Sequence, residues 1–123
     1  LGQINIVKFA AVKIDMENLA QEWLQVEQLL MERFGKKPDM EGILFLIGVN
    51  ELGASPANTY TKEQKQDLMH IGVCTLLSTY GYYEFVLRDE DGWPHYKVLK
   101  PVPEVTLFEQ EYMLKKAIIE YFR

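Results

Sequence analysis

This chain of 123 residues holds one cysteine, Cys74, and two histidines, His70 and His95. A lone cysteine excludes an internal disulfide and fits a reducing compartment. Cations are outnumbered, with 13 Lys and Arg against 18 Asp and Glu, for a formal net charge of −5. An acidic chain without a basic cluster lacks the electrostatic footprint of a nucleic-acid binder, and anionic lipid surfaces repel it. The longest apolar run, residues 43–49, falls far short of the roughly 20 residues that span a bilayer. Residues 1–14 lack a compact apolar run followed by a small-residue cleavage site, so they do not read as a signal peptide. No repeat, low-complexity tract or Gly-rich phosphate loop is present; glycines 42, 48, 53, 72, 81 and 92 form no such motif.

What remains is core-forming material. Hydrophobic residues make up 48% of the chain and charged residues 25%, which predicts one globular domain over residues 1–123. Such a chain buries roughly two-thirds of its unfolded surface and folds without staples. Residues 4–14 are ambiguous: Ile4, Ile6, Ala10, Val12 and Ile14 share strand parity, while Ile4, Val7, Ala11 and Ile14 fit a helix. A first helix is predicted over residues 16–34, capped by Asp15, with Leu19, Trp23, Val26, Leu30 and Phe34 in one stripe and Gly35 ending it. Asp39 and Gly53 bracket a second helix, residues 40–52, which is apolar all round and must be buried on every side. A buried strand over residues 43–49 is the alternative. Thr61 and Gln64 form a capping box for a third helix that runs to about Tyr80 and stops at Gly81.

An antiparallel hairpin follows, residues 82–99, around a two-residue turn at Asp91-Gly92 or a longer loop over residues 89–92. Parity places Tyr83, Phe85, Leu87, Tyr96 and Val98 on one face in either case. Pro94 makes the second strand an edge, or delays its start. Thr106 opens a last helix to about Phe122, with Leu107, Leu114, Ile118 and Tyr121 inward and Glu111 and Lys115 paired outward. The predicted fold is therefore mainly helical α+β, four helices around one core with a single hairpin laid on them.

Candidate chemistry is sparse. Glu63, Asp67, His70, Cys74 and Ser78 share a sector of the third helix, and His70 and Cys74 lie one turn apart, which permits a shared metal. No second ligand pair occurs at metal spacing, so neither a metal nor a cofactor is expected. Glu51 sits in the last turn of the most apolar helix, against the helix dipole; burial would make it an acid or base, exposure a solvated side chain. Asp89-Glu90-Asp91-Gly92 is a fragment of a calcium loop without its later ligands, and reads as a solvated turn. The second hairpin face carries Tyr82, Val86 and Trp93, which are candidates for a two-fold dimer contact.

Three strings, residues 43–53 (ILFLIGVNELG), 62–85 (KEQKQDLMHIGVCTLLSTYGYYEF) and 89–96 (DEDGWPHY), are similar to a family of small conserved uncharacterised proteins of Bacteroidetes bacteria. The resemblance implies a bacterial, cytoplasmic protein and carries over no functional residue. The expectation is a self-associating interaction or structural domain, with no nucleic-acid or membrane partner. The alternative is a small enzyme or ligand-binding protein, with a pocket between the second and third helices and the hairpin, using Glu51, His70, Cys74 and His95.

Overall fold

The computed structural model describes residues 2–123, with side chains for Ala10 and for residues 15–123. Helices α1 (Gly2–Phe34), α2 (Met40–Leu52) and α3 (Lys62–Ser78) precede strands β1 (Tyr83–Arg88) and β2 (Pro94–Val98), and helix α4 (Leu107–Phe122) closes the chain. The fold is α+β and mainly helical, as the sequence predicts. No helix among the described residues is long and apolar enough to cross a membrane.

The first helix is longer than predicted. It begins at Gly2 and runs for 33 residues, about 50 Å. Residues 4–14 are therefore helical, and the strand reading of that segment is ruled out. Asp15 lies mid-helix and caps nothing. Its carboxylate instead accepts a hydrogen bond from the Tyr112 hydroxyl and lies 3.6 Å from Lys116 Nζ, tying α1 to α4. A residue that favours caps had a tertiary use that local sequence does not show.

The second helix forms for the reasons its sequence suggests. Asp39 Oδ1 accepts from the Gly42 N–H at 2.8 Å, and Gly53 adopts φ 77° to end the helix. Between the caps, Ile43, Leu44, Ile47, Gly48 and Val49 are buried. The third helix opens on the full capping box, Thr61 and Gln64 each serving the other's backbone amide.

These two helices approach too closely for side chains at two positions. A Cβ on Gly48 would lie 1.9 Å from the Leu68 carbonyl oxygen, and one on Gly72 would lie 2.3 Å from that of Leu44. The contacts are reciprocal, one turn apart on each helix and in opposite order, so α2 and α3 run antiparallel with backbone against backbone. Two apolar clusters flank the contact. One joins Val26 and Leu30 of α1, Ile43, Leu44 and Ile47 of α2, Leu76 of α3 and Ala117, Ile118 and Ile119 of α4. The other joins Val49, Leu68 and Ile71 to Phe45, Tyr60, Trp93 and Tyr96, and seats the hairpin.

The hairpin departs from simple parity. Tyr83 pairs with Val98 and Phe85 with Tyr96, but Leu87 pairs with His95, so the register slips at Val86. This bulge moves Leu87 off the face it was predicted to share with Phe85. The turn spans residues 89–92: the Gly92 N–H donates to the Asp89 carbonyl, the Asp89 N–H donates to the Trp93 carbonyl, and Gly92 takes φ 86°. It is the longer loop, not a two-residue turn at Asp91-Gly92. Trp93 packs into the second cluster and not on the outer face. Leu107, predicted inward, is exposed at the start of α4. Lys115 lies over the Trp23 ring, 5.2 Å from its centroid, and among the described residues makes no ion pair with Glu111.

The Gly48 contact generates a direct test. Alanine is the better helix former, by up to about 1 kcal/mol. The backbone carbonyl it would strike cannot rotate away, so overpacking wins. Gly48→Ala and Gly72→Ala should each destabilise the domain by at least about 2 kcal/mol, read as a lowered urea midpoint.

Candidate functional site

The four polar candidates are set in three different surroundings. Glu51, at the end of α2, is half-buried and heavily engaged. Its Oε1 accepts from the Tyr121 hydroxyl at 2.8 Å, and that same oxygen of Tyr121 accepts from Asn50 Nδ2 at 2.6 Å. Arg88 Nη1 donates to the Glu51 backbone carbonyl at 2.5 Å and to the Gly92 carbonyl at 3.1 Å, and its Nη2 lies 3.9 Å from Glu51 Oε2. One guanidinium thus caps the free carbonyl end of α2, answers the carboxylate that opposes the helix dipole, and fastens the hairpin turn. Burial pushes the Tyr121 hydroxyl up to about 12, and the neighbouring Glu51 charge adds to that.

His70 and Cys74 do meet. Cys74 Sγ lies 3.5 Å from His70 Nε2, and the His70 ring stands edge-on to Tyr83, with centroids 6.4 Å apart. The histidine is exposed and the thiol is buried. Burial pushes the Cys74 thiol up to about 11, so the reactive thiolate is scarce at neutral pH. Among the described residues, no three of His, Cys, Asp and Glu gather where they could hold a metal.

His95 is in a third setting, at the hairpin turn. Its Nε2 lies 2.9 Å from Asp89 Oδ2, while Asp89 Oδ1 accepts from the Asp91 and Trp93 N–H groups at 3.0 and 2.9 Å. The His95 hydrogen bond, followed by these backbone donors, holds the Asp89 carboxyl below its ordinary value. The residues that resembled part of a calcium loop are thus organised by their own turn.

Tyr96 ties the hairpin to α3. Its hydroxyl lies 2.9 Å from Thr75 Oγ1, and burial raises it above the ordinary phenol range. The space between α2, α3 and the hairpin, where a pocket was expected, holds Val49, Leu68, Ile71, Trp93 and Tyr96. Sequence reasoning missed Arg88, Tyr121 and Thr75. Arg88 reaches Glu51 across 37 positions and Tyr121 reaches it across 70, with no local pattern to mark either contact.

No family model matches the chain, and comparison with curated proteins and with solved structures gives no match.

Two measurements test this assignment. Tyr121→Phe removes a donor to Glu51 and an acceptor for Asn50, and should cost about 0.5–1.5 kcal/mol in denaturant unfolding. The raised Cys74 and Tyr121 values have one sign: the folded state favours the protonated forms. Their stabilising contribution is complete below the ordinary value of 9.0 for the thiol and is lost as pH climbs toward about 11 for Cys74 and about 12 for Tyr121. Stability should therefore decline from about pH 9 upward, and Cys74→Ala should flatten the first part of that decline.

Proposed function

We propose that this protein is a small interaction domain of the bacterial cytoplasm that associates with a second copy of itself through the hairpin. The observation that carries the reading is the apolar surface left open on the ribbon. Val86 and Leu87 are each 50% exposed, and Val98 is 64% exposed. Phe85, on the face it shares with Val98, and Leu99 are exposed as well, while Leu87 lies on the opposite face with His95, so both faces of the ribbon carry open apolar side chains. A two-stranded ribbon is marginal in water and gains from cover, and apolar patches rimmed by charge mark contact surfaces. The rim here is supplied by Glu84 and Lys97, whose side chains pair across the strands at 3.4 Å.

Of the three residues first suggested for the contact, Val86 is the best placed. Tyr82 is half-buried with Lys100 Nζ over its ring at 4.8 Å, and Trp93 belongs to the interior cluster. The polar candidates favour this reading over an enzyme, because Glu51, Tyr121, Asn50 and Arg88 spend their hydrogen bonds on one another and on backbone carbonyls. The cytoplasmic location rests on the single cysteine and on the resemblance to bacterial proteins.

Sedimentation velocity across the micromolar range tests the proposal. The expected result is a concentration-dependent shift from monomer to dimer, abolished by Val86→Glu combined with Val98→Glu. A wild-type chain that sediments as a monomer throughout would remove the reading.

A further inference from the structure

We propose a second site, independent of the hairpin, that binds a small amphipathic carboxylate in the cleft where α1 meets α2. The cleft has a volume of about 680 Å³, within the range of small-molecule sites. Its walls are the end of α1, the 35–39 connection, the first turns of α2 and the loop that follows α2. The two chemical halves of the lining are distinct. Phe45, Leu46, Pro38 and Pro56 supply apolar surface, and the two prolines stiffen the connections before and after α2. Arg33, Lys36 and Lys37 supply charge.

That gathering of cations runs against the balance of the whole molecule, whose net charge is −5. Lys37 pairs with Glu27 at 3.1 Å. Among the described residues, Arg33 and Lys36 join no ion pair. The cleft's own carboxylate, Asp39, has one oxygen engaged by the Gly42 N–H that it caps. Two cations that join no ion pair among the described residues, set beside an apolar wall, select a ligand with one anionic head and an apolar body. Arg33 can grip a carboxylate with two parallel hydrogen bonds, and Lys36 adds a point charge. A compact anion such as phosphate would leave the apolar wall uncovered. A nucleic acid would need a longer track of cations than this acidic surface offers.

A competing location exists. The groove between α1 and α4, about 400 Å³, is more apolar, but Glu111 stands beside its one cation, Lys115, which already covers Trp23. The probe is decanoate, titrated below micelle formation into the whole chain and followed by backbone amide shifts. Saturable shifts should centre on Lys36, Gly42, Phe45 and Ala57. Acetate and decanol, each with half of the chemistry, should bind at least about tenfold more weakly. Arg33→Glu with Lys36→Glu should weaken decanoate by a similar factor, while the equal charge change Lys62→Glu with Lys65→Glu should not. Shifts centred on Ala20 and Phe108 would overturn the proposal. So would decanol binding as well as decanoate, which needs no variant, or a charge-reversed cleft that binds undiminished.

Discussion

The absence of two side chains governs this structure. Gly48 and Gly72 let α2 and α3 meet backbone to backbone, with room for no Cβ at either position. Close approach fixes the antiparallel alignment of the two helices and their offset along each other. It also forces larger residues to the flanks of the contact, where they divide into two clusters facing opposite ways. One receives α1 and α4; the other receives the hairpin. Interiors pack at near-crystalline density, so moving α2 relative to α3 would unseat both layers at once.

Where α2 ends, a polar assembly continues what the glycines begin. The Gly53 N–H satisfies the carbonyls of Val49 and Asn50, and Arg88 reaches from the hairpin to satisfy that of Glu51. Tyr121 reaches from α4 to the Glu51 side chain and to Asn50. The hairpin and the last helix are thereby fastened to the same turn of α2. This polar cluster is thus occupied with holding elements together, and its tyrosine hydroxyl is raised for the same reason, burial beside a carboxylate.

Local signals were legible in the sequence wherever they were sufficient. Asp39, Gly53, Thr61, Gln64 and Thr106 act within a few residues of themselves, and the helix boundaries they predict are those observed. Asp15 carries the same kind of signal and does something else, because Tyr112 and Lys116 compete for it from α4. The bulge at Val86 has no mark in a run of alternating residues, and it alone carries Leu87 to the other face. Gly48 and Gly72 sit inside otherwise apolar helices, where a glycine costs stability and so has a packing reason; neither reveals which residue it faces. His70 and Cys74 do meet as their spacing suggests, since one turn of helix settles it. Their differing exposure depends on where α3 lies in the core, which spacing does not encode.

The hairpin combines exposed apolar side chains with edges poorly suited to strand addition. The bulge at Val86 breaks the regular ladder on β1, and Pro94 opens β2 without an N–H to donate. Both devices oppose an open-ended stack of strands. Neither covers the side chains of Val86, Leu87, Val98 and Leu99, which leave the ribbon through its faces and not through its backbone. A surface that discourages edge pairing while keeping apolar faces open favours packing that closes on itself, and a two-fold contact is the simplest closed form. The cleft between α1 and α2 differs in kind, since its apolar wall lies next to Arg33 and Lys36, which join no ion pair among the described residues, and not next to balanced pairs such as Glu84 and Lys97. The same physical rule reads both surfaces: apolar area beside neutralised charge suits another apolar face, whereas apolar area beside uncompensated charge suits a ligand that brings the opposite sign.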